Sequence, residues 1–346
     1  MGMAKRKYSK RSNKIEPSVQ TLYMAPTGAV GPGVTLTSYV DLSQVASLIN
    51  RRFYRQGINW AVAGMKFLTT GTGTVVVSKL PNTWVMSNSW EKGFRSWQKM
   101  NREALAEAES IRPKFLDFKI YADSTHHAAG FAGNLLPRNL ALAEANAGEW
   151  EPSKYVIPDT SNPGNSTERE VIAVGANFPG AGASGFNAVS LIEGYAASRG
   201  LPDILDPNTP TDADDAKGAQ PANWMVALFN DGTSQDDAVI DDMISENNVA
   251  PYPFENGPIV GGGTFADTQY PGGANQLTGL QIHDVDSVTA TTIGGQTRIK
   301  GGNFPCGLIR IDWTPGASSE AAGFALQIDL MPGTHRGYLC EPMTEM

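Results

Sequence analysis

Ile58-Asn59-Trp60-Ala61-Val62-Ala63-Gly64-Met65-Lys66-Phe67 is the stretch on which the fold turns. Its aromatic and β-branched residues suit a pleated, half-buried surface, so it reads as a strand. Val34-Thr35-Leu36-Thr37-Ser38-Tyr39-Val40 precedes it in the same manner. Gly71-Thr72-Gly73 then breaks the chain before Thr74-Val75-Val76-Val77-Ser78, and Pro81 precedes Thr83-Trp84-Val85-Met86. Turn residues between short strands predict a meander.

Working outward, three strands are expected at the far end, over Leu277–Val285, Gly307–Trp313 and Gly323–Met331. In the last, Phe324, Leu326, Ile328 and Leu330 alternate with small or polar residues, the period of a half-buried strand. Lys114–Tyr121 alternates in the same way, and Ala222–Phe229 also reads as strand. One segment is helical. Between Ser89 and Ser110, Trp90, Phe94, Trp97, Ala104, Leu105 and Ala108 recur at three- and four-residue intervals, and Pro113 follows as a stop. Its aromatic stripe is read as core-facing, with a platform for bases as the minority reading. Ser234–Glu246 is a candidate short acidic helix, while 123–220 and 250–276 read as Gly/Pro-rich loop insertions. No βαβ rhythm appears, which argues against a parallel sheet. The expected class is mainly β: an antiparallel β-sandwich, best accommodated by a jelly roll with long loop insertions and one or two helices.

Charge is distributed unevenly. Lys5, Arg6, Lys7, Lys10, Arg11 and Lys14 put six positive charges and no negative one into residues 1–14. Removing those six from the 27 basic residues leaves 21 against 35 acidic ones, so an acidic body carries a basic arm. Like charges in a block repel, stay solvated and seek an opposite charge, which nucleic acid supplies. Residues 1–32 are therefore read as a disordered basic arm and linker, and 33–346 as one elaborated domain. A second basic feature is Asn50-Arg51-Arg52-Phe53-Tyr54-Arg55-Gln56. Arg51, Arg52 and Arg55, interleaved with two aromatics, can pair with phosphate and stack on bases, against a reading as a solvated or inter-subunit loop.

Catalytic signals are weak. His126-His127 would point to opposite faces of a strand, and all four histidines, with His283 and His335, are read as surface or loop residues. Gly182-Ala183-Ser184-Gly185 does not lie between a strand and a helix as a nucleophile elbow requires. Gly71-x-Gly73 leads into a strand, not a helix that could meet phosphate. Asp212, Asp214 and Asp215, with Asp236-Asp237 and Asp241-Asp242, lack EF-hand spacing; they are read as solvated charges, with a divalent cation at a subunit interface as the minority reading. No enzyme activity and no cofactor are expected. Cys306 and Cys340 are too few for a disulfide scaffold and favour a reduced compartment. Neither a signal peptide nor a membrane span is expected, so the Asn165-Ser166-Thr167 sequon receives little weight.

These residues resemble those of small icosahedral viral capsid proteins. Leu42–Trp97, with Asn50–Gly57 and Lys79-Leu80-Pro81-Asn82-Thr83-Trp84, is similar to capsid proteins of circular Rep-encoding single-stranded DNA viruses, as are Gly307–Trp313 and Asp329–Tyr338. The resemblance implies a viral jelly roll that self-assembles into an icosahedral shell. It implies packaging of single-stranded nucleic acid through Lys5, Arg6, Lys7, Lys10, Arg11 and Lys14, with Arg51, Arg52 and Arg55 as further contacts. The expected partners are copies of the chain and the genome; the expected location is the virion. A passage through the host nucleus follows if Lys5–Lys14 also acts as a localisation signal. The competing class is a soluble β-sandwich that binds glycans or hydrolyses a substrate.

Overall fold

The computed structural model describes residues 17–106, 110, 117–139, 141–158, 165–177, 179–199, 224–229, 258–259, 263–264 and 279–345. It is mainly β. Two antiparallel sheets hold the strands β1 (Thr21–Met24), β2 (Leu36–Asp41), β3 (Ile58–Thr69) and β4 (Gly73–Lys79) from the first part of the chain. β5 (Lys154–Pro158), β6 (Ser166–Ile172) and β7 (Ala188–Ser190) form a separate small sheet, and β8 (Pro258–Ile259) pairs with β9 (Gly263–Thr264). The last part supplies β10 (Gln281–Val288), β11 (Gln296–Phe304), β12 (Leu308–Pro315) and β13 (Phe324–Leu330). One large sheet runs β1-β13-β3-β11, with a terminal strand, Cys340–Pro342, also on β3; the other runs β10-β4-β12-β2.

β3 shows how sequence sets this arrangement. Trp60 and Val62 point inward, and so do Met65 and Phe67, although the two pairs differ in phase by one residue. The ladder to β13 skips Ala63, pairing Asp329 with Gly64 and Leu330 with Val62. That bulge absorbs the extra residue and keeps every large side chain on the core face. Opposite it, a Cβ on Gly301 would lie 2.3 Å from the Ala63 carbonyl oxygen, so glycine is required at this crossing. On β13, Phe324, Leu326, Ile328 and Leu330 are buried in strict alternation. Both sheets feed one core, in which the Phe67 ring lies 5.0 Å from Trp313 of the second sheet and 5.0 Å from Phe324 of the first.

Several expectations are corrected. β3 and β4 are neighbours in sequence but lie in different sheets, so Gly71-Thr72-Gly73 is a crossing between layers and not part of a meander. Thr83–Met86 is not a strand: α2 (Trp84–Ala106) begins there, because Val85, Met86 and Trp90 form one buried helical face. Residues 117–120 join no ladder; Tyr121 makes a single bridge to Ile172. Trp224–Phe229, expected as strand, is helical. The stretch read as loop from 123 contains α3 (Ser124–Ala129), β5 to β7 and α4 (Leu191–Arg199), and β6 with β7 forms a parallel pair. These pieces pack with α2 in a second core through Trp90, Trp97, Tyr155, Val189 and Leu191. Ser234–Glu246 lies outside the described residues. α1 (Leu42–Asn50) and β11 were not anticipated. Among the described residues, no helix is long and apolar enough to cross a membrane.

Candidate nucleic-acid interface

The basic loop begins where α1 ends. Asp41 caps that helix, accepting from the Ser43 and Gln44 amides, and its second oxygen accepts from Gln56 Nε2 and Trp150 Nε1, each at 3.0 Å. Burial pushes this carboxyl up to about 7, while the four donors pull the other way. The helix terminates at Arg51, which takes the left-handed conformation with φ of 52°. From there the chain is pinned by alternate residues. The Tyr54 amide donates to Ser47 Oγ (3.0 Å), and the Tyr54 hydroxyl donates to the Arg336 carbonyl (2.9 Å). Gln56 is fully buried and exchanges hydrogen bonds with the backbone of Ile120. With Tyr54 and Gln56 held inward, Arg51 and Arg55 are exposed and Arg52 and Phe53 half-buried. The structure thus brings the three arginines together on one loop.

Two features join them that sequence reasoning did not assign. The first is Arg336, exposed, with φ of 50° and a guanidinium that donates to the Phe53 carbonyl. It sits in the tight Gly333–Gly337 return after β13, whose glycines were the available signal. The second is the root of the basic arm. The Val19 amide donates to Asn50 Oδ1 (3.0 Å), Asn50 Nδ2 donates to the Tyr338 hydroxyl (2.7 Å), and that hydroxyl donates to the Val19 carbonyl (2.6 Å). Ser18 Oγ donates to the Gly337 carbonyl (3.2 Å). The chain therefore enters the body beside Arg51 and Arg336. Lys5, Arg6, Lys7, Lys10, Arg11 and Lys14 lie outside the described residues.

A cavity of about 570 Å³ opens next to the loop. Phe53, Arg55 and Ile58 line it together with Trp90 and Phe94 of α2, and Asp117, Phe118, His335, Arg336 and Thr344 also belong to the lining. The aromatic stripe of α2 is therefore core-facing, as expected for Trp90 and Trp97, while Trp90 and Phe94 also wall this cavity. Burial pushes the Asp117 carboxyl upward, and the Lys119 ammonium beside it opposes that shift. A smaller hollow of about 240 Å³ lies on the other side of the loop, between Arg51, Arg52 and Glu149.

His335 lies in the return after β13, as expected of a loop residue, whereas His283 is half-buried on β10 and the adjacent pair is buried. His126 and His127 are buried because α3 turns both toward the interior. His126 Nδ1 accepts from the Ala122 amide (3.0 Å), which leaves Nε2 as the donor to Asn134 Oδ1 (2.7 Å). Burial lowers this imidazole to about 4. His127 Nε2 lies 2.8 Å from Glu170 Oε2. Arg310 Nη1 and the Tyr39 hydroxyl both bond the buried Asp123 carboxylate. Among the described residues, no three His, Cys, Asp or Glu side chains converge on a metal position. The acidic clusters at Asp212–Asp215, Asp236-Asp237 and Asp241-Asp242 lie outside the described residues.

Set against known protein families, curated proteins and solved structures, the chain matches none of them.

Proposed function

We propose that this chain is a structural capsid subunit: a jelly roll that assembles into a closed icosahedral shell and packages single-stranded nucleic acid. Its arm and the Arg51–Arg55 loop hold the strand. The strand pairing supports the jelly roll. In chain order the eight main strands are β1, β2, β3, β4, β10, β11, β12 and β13. They pair first with eighth, second with seventh, third with sixth and fourth with fifth. A single antiparallel ribbon wrapped on itself gives that pattern, and the ladders β13–β3 and β12–β4 join its turns into two sheets. The long connection between β4 and β10 carries α2 and the small sheet, leaving the ribbon itself uninterrupted. A closed shell is one way to cover the edges that such sheets leave open.

One observation carries the nucleic-acid reading: Val19, five residues after the last cation of the basic segment, is tied by Asn50 and Tyr338 next to the loop that carries Arg51. The basic segment is therefore joined to the body next to the second basic feature of an acidic chain. Phosphate contacts release counterions, at about −0.7 per contact for single strands in a log–log plot against salt. The test is a salt titration of single-stranded DNA binding with the intact chain and with residues 1–14 deleted. The intact chain should show a slope steeper than about −4, and the deletion should remove about 4 of it. Unchanged affinity and slope after deletion would show that the arm is not the packaging element.

A further inference from the structure

We infer that the cavity between the basic loop and α2 is a single-nucleotide slot, which takes one base of the bound strand and holds its phosphate at the rim with Arg55 and Arg336. This rests on the nucleic-acid reading above. The walls are flat and aromatic. Trp90 and Phe94 stand 5.0 Å apart with their planes 20° from parallel, and Phe118 packs against both, at 6.3 and 6.0 Å. Phe53 lines the same cavity. Such walls suit the π-face of a base, whichever base it is. The volume, about 570 Å³, lies within the roughly 300–1,000 Å³ of small-molecule sites.

The polar groups point to the same ligand class. Arg55 and Arg336 are exposed at the mouth, and the bond from Arg336 to the Phe53 carbonyl holds its guanidinium at that edge. A guanidinium fork fits phosphate oxygens in pairs. Trp90 and Asp117, 5% and 8% exposed, both belong to the lining. Lys119 Nζ pairs with Asp117 Oδ2 at 3.8 Å, so that carboxylate is already partnered. An alkyl ligand leaves Arg55 and Arg336 unused, and a bare phosphate leaves the aromatic lining unused.

Calorimetric titration of the full chain with dAMP, with 2-deoxyribose 5-phosphate and with dodecanoate tests the slot. A short single-stranded DNA is run in parallel. The expected result is saturable dAMP binding, about tenfold or more tighter than the sugar phosphate, and no binding of dodecanoate. The double variant Arg55→Ala/Arg336→Ala, and Thr344→Trp, which fills the rim, should each weaken dAMP by about tenfold or more. Should Thr344→Trp unfold the chain, the double variant of two exposed side chains carries the test. Equal binding of dAMP and sugar phosphate, or dodecanoate binding in place of dAMP, overturns the slot. Binding of the short strand without dAMP overturns the slot alone; binding of neither overturns the nucleic-acid reading with it.

Discussion

A Cβ at residue 57 would lie 2.2 Å from the Trp90 indole, so Gly57 fixes how closely the basic loop approaches α2. Gly57→Ala is expected to destabilise the chain by about 2 kcal/mol, the usual cost of forced overpacking, read as a shifted urea midpoint. Asp41 acts at the same scale. It caps α1 and also satisfies the buried Gln56 and Trp150 donors, so Asp41→Ala should cost about 3 kcal/mol or more. His126 gives a pH signature. Its folded value, about 4, lies below the ordinary 6.5, so on acidification the unfolded chain takes up a proton before the native one does. This residue's contribution is intact above about 6.5 and is lost as pH falls toward 4, about 2 kcal/mol of it between pH 7 and 5. His126→Gln should remove that component from urea melts at the two pH values; an unchanged pH difference would show that His126 does not titrate this way. None of these roles was legible in sequence. Adjacent histidines say nothing of burial until the helix that carries them is known, and a glycine does not announce the ring that faces it.

At the scale of elements, what sequence revealed depended on how one-sided each element's burial is. β13 was readable because Phe324, Leu326, Ile328 and Leu330 all face one core. β11 was missed because Gln296–Phe304 buries only Ile299 and Phe304, and Gly301 and Gly302 dilute its pattern. α1 carries its own signal, with Asp41 as cap and Leu42, Val45 and Ala46 on one face. The basic loop was found from composition, but its partner Arg336 lies far along the chain and is brought near only by the return after β13. Tyr338 closes that arrangement through one hydroxyl shared between Asn50 and Val19. Tyr338→Phe should therefore cost about 1 kcal/mol and make the chain near residues 17–20 easier to cleave by limited proteolysis. Equal cleavage of variant and wild type would show that the arm root is held by other contacts.

At the scale of the whole molecule, the antiparallel, mainly β class was legible from strand text at both ends of the chain and the absence of βαβ rhythm. The pairing of first strand with eighth was not, since it joins residues some three hundred positions apart and no local pattern specifies it. The proposed shell follows from that pairing together with the separation of charge, a basic arm on an acidic body, which favours nucleic acid at one surface over adhesion elsewhere. Electron microscopy of the purified full-length chain, with nuclease digestion of the same sample, tests this most directly. Closed particles of icosahedral symmetry, containing nucleic acid that the nuclease cannot reach, are the expected result. A stable monomer at micromolar concentration, across a range of salt and pH, would contradict it.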